Sequence, residues 1–423
     1  MTPATNTSAE QGSERPILHT YIDYEDAYVT PLLASSLQRL PFTLLPLASP
    51  TALPSPTTPC LVWAQYESLP FSQLPSHPSL LINSYVFRKA LIRKHYLATV
   101  VRNWLTKHPS SILGQHVKPG VDFEVDYAEF LDDALVECYE LVDAMGRNED
   151  LPAGEREWWI LKAGMGERGN GIRLFSTMGE LQTIFEGWDP DSDGEEDEDG
   201  GEGLVTSHMR HFVAQPYVHP PLLLGRGEAA GRKWHVRTYV LAVGAVKVYV
   251  YRRMLALFAG ERYDEPGEEE DPNDALSGHL TNTCRQTGER EGSVSEFWAI
   301  PEDATDLQEG WKEKVFEQIC QTTGEVFEAA ARGMMMHFQP LPNAFEIYGL
   351  DFLVDATGKA WLLEVNAFPD FAQTGKDLSS LIAGLFDGVV DVAVKPFFTD
   401  GSSAAASASS DLVKVLDIDL GKR

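Results

Sequence analysis

Two apolar segments that carry acidic residues meet at a turn near Gly358, within residues 345–366. If they form a β-hairpin about that turn, Asp351 lies directly opposite Glu364, and Asn366 shares a face with Glu364. Two opposed carboxylates repel each other, and a bound divalent cation would remove that repulsion. Oxygen ligands of this kind suit Mg²⁺ held jointly with the phosphates of a nucleotide. The alternative is an edge strand whose acidic side chains face water.

A glycine-rich loop follows a predicted strand, Trp158–Ala163, which contains Lys162. The segment after the loop, 172–175, has the composition of another strand, whereas a dinucleotide-binding fingerprint would require a helix there. A loop between two strands suits a mobile flap whose backbone amides cover phosphates, with Lys162 reaching in from the preceding strand. The alternative is a glycine-rich hairpin that binds no ligand. The glycines of this loop are Gly164, Gly166, Gly169 and Gly171.

Basic residues are concentrated on two later predicted strands. Lys233, His235 and Arg237 alternate onto one face of the first strand, and Arg252 and Arg253 end the second. Cations on strands are commonly solvated, so this cluster alone does not indicate a site. Beside a phosphate-binding loop and a metal site, however, it would provide partners for an anionic substrate.

The elements that must position these residues are predicted from apolar periodicity and turn signals. Strands are predicted over Trp158–Ala163, His211–Gln215, His235–Val243, Ala245–Arg252, Phe345–Val354 and Lys359–Asn366. Helices are predicted over Val86–His108, Asp126–Met145 and Trp311–Phe338. Gln215, Tyr217 and Val218 stand at the end of a strand, where backbone groups could contact an adenine. The mixture predicts an α/β (α+β) fold.

Changes in composition divide the chain into regions. The predicted regions are a disordered tail over 1–16, a small N-terminal α/β domain with proline-rich loops over 17–84, a helical central part over 85–150, a strand-rich region over 151–395 and an Ala/Ser-rich C-terminal tail over 396–423. The strand-rich region contains two acidic insertions, 186–203 and 261–271, which hold ten and seven acidic residues. We interpret them as solvated loops; the alternative is that they bind a basic partner.

Composition excludes several classes of protein. With 423 residues and 43% hydrophobic content the chain is globular, and its formal net charge of −29 argues against a general nucleic-acid binder. No stretch is long and apolar enough to span a membrane. The four cysteines have no paired spacing, which argues against a zinc site or a disulfide scaffold. We therefore expect a cytoplasmic protein that binds neither membrane nor nucleic acid.

The order of these motifs resembles that of the tubulin–tyrosine ligase family, which belongs to the ATP-grasp ligases. The resemblance extends over residues 80–395 and is strongest in the C-terminal half. It implies an ATP-grasp fold, with the nucleotide-binding and catalytic region at 151–395. The motifs are the lysine strand with its glycine flap, Gln-x-Tyr at 215–217, Arg-Lys-x-x-x-Arg at 232–237, Tyr-Arg at 251–252, His-Leu-Thr-Asn at 279–282, and Gly-x-Asp with Glu-x-Asn at 349–366.

The resemblance also implies roles for individual residues. Asp351, Glu364 and Asn366 would hold Mg²⁺. Arg237 and Arg252 would bind the acyl-phosphate intermediate or the carboxylate substrate, and with Glu364 they are the expected catalytic residues. His235 stands where the family usually has an acidic residue that contacts the ribose. The residues expected to bind ATP are Lys94, Lys162, Gly166, Gly169, Gly171, Gln215, Tyr217, Val218, Lys233, His235, Thr281 and Asn282.

The implied reaction is ATP- and Mg²⁺-dependent joining of an amino acid, with tyrosine favoured, to a protein carboxylate, most simply the C-terminal tail of tubulin. Tubulin tails are acidic, so docking to this acidic protein requires a segregated basic face. The predicted helix over 86–108 contains the candidate cations. They are Arg88, Lys89, Arg93, Lys94, Arg102 and Lys107.

Two alternatives stay open. The fungal branches of the family resemble interaction modules of mRNA-decay bodies, so the chain could be a non-catalytic or weakly active scaffold with mRNA-decay factors as partners. It could also be an ATP-grasp ligase that acts on a small molecule.

Overall fold

The computed structural model describes residues 15–164, 171–188, 210–267, 276–281, 293–375, 378–399 and 411–421. The strands are β1 (Ile17–Asp23), β2 (Thr43–Pro46), β3 (Cys60–Ala64), β4 (Leu80–Ile82), β5 (Val121–Glu124), β6 (Trp159–Ala163), β7 (Arg173–Phe175), β8 (His211–Pro216), β9 (Arg232–Val243), β10 (Lys247–Tyr251), β11 (Leu255–Arg262), β12 (Val294–Glu296), β13 (Phe345–Val354), β14 (Ala360–Ala367) and β15 (Leu412–Asp417). The helices are α1 (Val29–Leu37), α2 (Lys89–Ile92), α3 (Lys94–Lys107), α4 (Leu113–His116), α5 (Leu131–Ala134), α6 (Tyr139–Asn148), α7 (Met178–Glu186), α8 (Leu276–His279), α9 (Trp311–Gly333), α10 (Ser379–Val389) and α11 (Lys395–Phe398). Helices pack on both parallel and antiparallel sheets, which confirms the mixed α/β (α+β) class. No helix in these described ranges is long and apolar enough to cross a membrane.

The N-terminal sheet is parallel, with strand order β2-β1-β3-β4. Parallel strands need crossover connections, and α1 provides the one between β1 and β2. Ile82 of β4 forms an isolated bridge with Ala344, immediately before β13. The N-terminal sheet therefore adjoins the central sheet, and β3 contributes buried residues to the hydrophobic clusters on both faces of the latter.

The central sheet is antiparallel and is organised around β9. One edge of β9 pairs with two strands in succession. Residues 240–243 of β9 pair with β10, and residues 232–237 pair with β11. On the other edge, β13 pairs with residues 236–243, and β14 pairs with β13. All ten residues of β13 are buried, as its apolar composition predicts for a strand covered on both faces. One face packs against α9 and the other against α1 and α10.

A third, smaller sheet has the order β5-β8-β6-β7 and is antiparallel. Helices α6 and α7 bury their apolar residues against one face of it, with Leu141, Met145 and Leu181 in the shared core. The strand predicted after the glycine loop is present as β7. The opposite face of β6 and β8 is directed toward the central sheet, so a cleft forms between the two sheets.

Two predicted helices are interrupted. The segment Val86–His108 contains α2 and α3, which are separated at Arg93, whose backbone is extended (φ −103°, ψ 122°). The break lets α2 pack on β14 while α3 packs on β5 and β8. The segment Asp126–Met145 likewise forms a 3₁₀ turn followed by α5 and α6, and it packs on the small sheet through Leu131, Leu135 and Leu141.

The C-terminal segment takes part in the central sheet. Leu412–Asp417 forms β15, which pairs antiparallel with β10, whereas the sequence suggested only a tail over 396–423. The pairing depends on tertiary contact, since Val415 packs against the core and its carbonyl lies beside Gly324 of α9. Residues 1–14 of the expected tail, most of the insertion at 186–203 and residues 268–271 of the insertion at 261–271 lie outside the described residues.

Gly324 provides a test of this docking. A Cβ atom at position 324 would lie 2.8 Å from the carbonyl oxygen of Val415, closer than van der Waals contact allows. We expect Gly324→Ala to lower the free energy of unfolding by about 1–3 kcal/mol, because the helix or β15 must shift. Chemical denaturation would measure it. Gly333→Ala, in the same helix with no neighbour within 4 Å, is the matched control and should not destabilise; equal values for the two variants would contradict the docking.

Candidate functional site

A cleft of about 600 Å³ lies between the small sheet and the central sheet. One wall is formed by β6 and the end of β8, and the other by the exposed ends of β9, β13 and β14. Most of the residues predicted to bind ATP, Mg²⁺ or the acyl phosphate line it. These are Lys94, Lys162, Gln215, Tyr217, Val218, Lys233, His235, Arg237, Thr281, Asp351, Glu364 and Asn366.

The hairpin of β13 and β14 places Asp351 directly opposite Glu364, as predicted. Closer to the turn the predicted register does not hold, because Val354 pairs with Ala360 and five residues connect the strands. A β-bulge at Leu363 supplies the residue that restores the register at Asp351. Bulges are common next to active sites, where they redirect a side chain. Here the bulge brings Glu364 into the cleft.

Asp351 also lies beside Arg237 of β9, so Arg237, Asp351 and Glu364 form a row across three strands. Arg237 donates from Nε to Oδ1 of Asp351 and from Nη2 to Oδ2, the latter at 3.0 Å. His235 Nε2 lies 3.4 Å from the same Oδ1. Burial by itself would raise the pKa of Asp351, but Arg237 and His235 outweigh it and hold that pKa well below its usual range. The carboxylate is therefore charged at neutral pH.

Glu364 has partners of its own. Lys94 Nζ lies 3.3 Å from Glu364 Oε2, and Asn366 Nδ2 donates to Glu364 Oε1 at 3.1 Å and to Asp351 Oδ2 at 3.3 Å. Burial raises the pKa of Glu364, as does the charge of Asp351, but Lys94 and the Asn366 hydrogen bond bring the net shift below the usual value. Both carboxylates can thus act as anionic ligands.

The chemistry of this donor set fits Mg²⁺. Within the described ranges, no group of three or more His, Cys, Asp and Glu side chains is arranged to hold a metal ion. The candidate is therefore the pair of carboxylates, Asp351 and Glu364, with the amide of Asn366 beside both. Two carboxylates and an amide leave coordination positions for water and phosphate oxygens, which is the usual environment of Mg²⁺ in nucleotide-binding sites.

Two lysines face the cleft from opposite walls. Lys162 Nζ donates to Gln215 Oε1 at 2.9 Å, and Lys233 Nζ donates to the Tyr217 hydroxyl at 2.6 Å. Burial lowers the pKa of Lys162 to about 8 and that of Lys233 to about 7, where the charge of Lys162 adds to the effect. Neither lysine has a carboxylate within ion-pairing distance among the described residues. An anionic ligand between them would restore their charged forms.

A buried hydrogen-bond network closes the side of the cleft next to Lys233. The Tyr217 hydroxyl is 2.9 Å from His279 Nδ1, and His235 Nδ1 is 2.5 Å from Thr281 Oγ1. Burial lowers the pKa of His279 to about 4, with the charge of Lys233 as a further cause, so this imidazole is neutral at pH 7. The sequence reasoning quoted His279 within a motif without giving it a role; its function as a partner of Tyr217 depends on the fold.

The glycine loop begins at a crowded position. A Cβ atom at Gly164 would lie 2.8 Å from His95 Nδ1 and 3.0 Å from the carbonyl oxygen of His211, so only glycine fits there. Gly171 has a positive φ of 71°. Gly166 and Gly169 of the loop, and Asn282, lie outside the described residues. Their predicted contacts with ATP stay predictions.

Arg252 is not brought into the cleft. Its guanidinium lies over the rings of Trp298 and Phe316 and pairs with Glu313 of α9 at 2.5 Å, on the opposite face of the central sheet. The reason is strand alternation, since Arg252 continues the face of β10 that packs on α9. On the neighbouring strand β11, Leu257 pairs with His235 and faces the cleft.

The cleft also includes residues for which the sequence reasoning gave no site. Lys118 accepts a hydrogen bond through its carbonyl from Gln215 Nε2 at 3.0 Å, and its ammonium lies over the Trp361 ring. Gln65, Tyr66 and Glu67 reach the cleft from the end of β3. The N-terminal sheet carries no chemical motif, so only its position next to β13 identifies these residues.

Comparison with known proteins agrees with this geometry. The model of the tubulin-tyrosine ligase family matches residues 77–401, which is most of the chain. The chain belongs to the tubulin-tyrosine ligase family. A probable tubulin–tyrosine ligase of Schizosaccharomyces pombe is 42% identical over 419 residues, covering 96% of this chain and 98% of that protein.

Two further relatives extend the comparison. The probable tubulin–tyrosine ligase PBY1 of Saccharomyces cerevisiae is 40% identical over 376 residues; the match covers 84% of this chain and 48% of PBY1. The second is the crystal structure of the C-terminal domain of K. lactis Pby1, which is described as an ATP-grasp enzyme interacting with the mRNA decapping enzyme Dcp2. Its TM-score is 0.72 and its sequence identity is 37%. The match covers 96% of this chain and all of that domain. This tubulin-tyrosine ligase family member thus has an ATP-grasp fold, and family and fold together support an ATP-dependent ligase.

If the two cleft lysines hold the phosphates, nucleotide binding by this family member depends on pH. Because burial holds their pKa values at about 8 and 7, both lose protons as the pH rises, and a bound triphosphate raises those pKa values again. We expect ATP-analogue affinity to fall between pH 6.5 and 9, and binding at pH 8 to take up about one proton. Calorimetry in buffers of different ionisation enthalpy measures the uptake.

Lys233→Met should reduce this proton uptake by at least half. Lys314→Met, an exposed lysine of α9 outside the cleft, is the control and should leave it unchanged. Proton release, or an affinity independent of pH, would show that the lysines are not at the phosphates.

Proposed function

We propose that the protein is an ATP- and Mg²⁺-dependent ligase that joins an amino acid, with tyrosine favoured, to a protein carboxylate, and that the C-terminal tail of tubulin is the acceptor. The observation that supports it best is the opposed pair Asp351 and Glu364 in a cleft that also holds Lys162 and Lys233. Carboxylates for a metal ion and ammonium groups for phosphates are the parts that phosphoryl transfer requires. Residues 77–401 match a family with this chemistry.

In the proposed reaction, an acceptor carboxylate oxygen attacks the γ-phosphorus of ATP and the bond to ADP breaks, which gives an acyl phosphate. The amine of the amino acid then attacks the acyl carbon, phosphate leaves, and an amide bond forms. Lys162 and Lys233 would hold the phosphates from opposite walls. Asp351, Glu364 and Asn366 would hold Mg²⁺, which neutralises charge on the transferring phosphoryl group when bound.

The residues around the row have distinct proposed roles. Arg237 stays paired with Asp351, so we assign it to orienting that carboxylate as well as to the acyl phosphate. Arg252 lies outside the cleft, and its predicted substrate contact is not proposed further. Gln215, Tyr217 and Val218 would surround the adenine at the end of β8, and His235 with Thr281 would contact the ribose side of the nucleotide.

The acceptor would dock along α2 and α3. Arg93 and Lys94 line the cleft, and Lys89 and Lys107 of these helices are exposed, whereas Arg88, Lys94 and Arg102 are each paired with a carboxylate. We propose that the cations on these two helices form a positive strip that leads into the site. An acidic chain end is attracted to such a strip even though the protein carries a net charge of −29.

Removal of the Glu364 charge tests the metal assignment. We expect Glu364→Gln to reduce Mg·ATP turnover by about a hundredfold or more, because the ion loses one of two carboxylate ligands. Thermal unfolding should stay within a few degrees of wild type, because the amide keeps the Asn366 hydrogen bond. Glu313→Gln, outside the cleft, is the matched control. Turnover by Glu364→Gln at the wild-type rate would refute the assignment.

Transfer of labelled amino acids tests the acceptor. Tyrosine and glutamate would be offered with Mg·ATP to tubulin that lacks its terminal tyrosine. We expect label on tubulin with wild type and with Glu313→Gln, and none with Glu364→Gln. A wild-type protein that binds ATP but transfers no label would exclude tubulin as the acceptor.

A second function is favoured by one relative. K. lactis Pby1 is described as interacting with Dcp2, and this chain is 37% identical to its C-terminal domain. We infer a cytoplasmic scaffold in mRNA decay as the alternative, and the apolar Leu257 in the cleft wall, with Arg252 outside, is consistent with weak catalysis. Binding of a decapping enzyme by a chain that shows no ATP turnover would favour it over the ligase.

A further inference from the structure

The cleft continues beyond the carboxylate row to an arginine from the N-terminal part of the chain. Arg88 precedes α2 and lines the cleft together with Tyr66 and Glu67, which follow β3, and with Arg93. Its side chain is 12% exposed, so most of its surface is in contact with protein. A buried guanidinium is costly unless its N–H groups have partners.

Arg88 is held in a fixed orientation. Its Nη1 group donates to Glu346 Oε1 at 2.9 Å and to Ser84 Oγ, and its guanidinium lies 3.9 Å from the centre of the Tyr66 ring. Among the described residues, no acceptor is hydrogen-bonded to its Nε or Nη2 group. Arginine binds carboxylates best through two adjacent N–H groups, and these two are available.

Glu346 does not depend on Arg88 alone. It is fully buried, and it also accepts hydrogen bonds from the Tyr85 backbone N–H at 3.1 Å and from the Tyr348 hydroxyl at 2.8 Å. Three donors therefore share the carboxylate of Glu346. This carboxylate positions Arg88 but bonds only to its Nη1 group. Arg93 adds a second cation to this part of the cleft, and its side chain has no hydrogen bond or ion pair with any described residue.

The anchor of Arg88 is distant from the proposed magnesium site. Glu346 precedes Asp351 by five residues, which is about 16 Å at the rise of an extended strand, and this odd separation places the two side chains on opposite faces of β13. Arg88 is therefore placed for a group of the substrate remote from the transferring phosphoryl group. The segment after β14 lines the cleft beside the proposed magnesium site, with Phe368, Pro369 and Asp370.

We propose that Arg88 binds a carboxylate of the substrate other than the one that is activated. The inference rests on the proposed ligase function and extends it by naming a substrate-binding residue. Two sources share this chemistry: the α-carboxylate of the free amino acid, and a second carboxylate of an acidic acceptor chain. In either case Arg88 is a specificity-determining residue, because a substrate that lacks the carboxylate would leave its two N–H groups unpaired.

The test is ligand binding to the full chain saturated with magnesium and a non-hydrolysable ATP analogue. Calorimetry would be used with L-tyrosine, L-glutamate, tyrosinamide, and a seven-residue peptide of glutamate and glycine that ends in glutamate. We expect Arg88→Lys to weaken binding of the carboxylate ligand about tenfold, since lysine keeps the charge opposite Glu346 but loses the paired N–H groups. Affinity for the ATP analogue should be unchanged.

The ligands distinguish the sources. Weaker binding of the free amino acids, with tyrosinamide bound poorly even by wild type, assigns the α-carboxylate; weaker binding of the peptide assigns the acceptor chain. Lys314→Ala, an exposed cation of α9 outside the cleft, is the control and should bind all ligands as wild type does. Tyr66→Leu, which removes the ring but no charge, provides a second variant if Arg88→Lys does not fold, and should weaken the same ligand.

The inference is overturned if Arg88→Lys binds every carboxylate ligand as tightly as wild type, or if wild type with bound ATP analogue binds none of them. Failure of the proposed function gives a different result, because the wild-type chain would then not bind the ATP analogue, or would bind it but show no turnover of Mg·ATP in a parallel assay.

Discussion

The site depends on one electrostatic arrangement, the row Arg237–Asp351–Glu364 that crosses β9, β13 and β14, with Lys94 paired to the last member. Two carboxylates next to each other on a buried sheet would each favour the neutral form. A cation at each end of the row, Arg237 beside Asp351 and Lys94 beside Glu364, keeps both carboxylates charged. Without that compensation the carboxylates could not serve as anionic ligands, and the apolar strands beside them would not tolerate the charge.

Burial acts in the opposite sense on the lysines of the cleft. In the part of the chain that the structure describes, Lys162 and Lys233 have no carboxylate within ion-pairing distance, and desolvation lowers their pKa values to about 8 and 7. The charges on the carboxylate side of the cleft are therefore balanced, whereas the lysines on the other side have no compensating anion among the described residues. An anionic nucleotide that carries a divalent ion would satisfy both sides at once.

The N-terminal sheet extends this site toward the substrate. Its strand β4 continues the edge of the central sheet at Ala344, and Glu346, two residues later, anchors Arg88. The same contact that joins the two sheets thus positions a cation in the cleft. The contacts that dock the N-terminal sheet therefore also shape the end of the cleft where we propose that the substrate binds.

The amino-acid sequence by itself determined the parts whose signals are local. The opposition of Asp351 and Glu364 follows from period-two alternation about a turn, and it is correct although the bulge at Leu363 was not foreseen. The lysine strand, the cation face of β9 and the family followed from motifs of this kind. What only the tertiary structure decided depends on contacts distant in the chain: the break at Arg93, the docking of β15 on β10, and the exclusion of Arg252 from the cleft. Strand pairing partners and the face that meets α9 are set by packing over hundreds of residues, so no local pattern could show them.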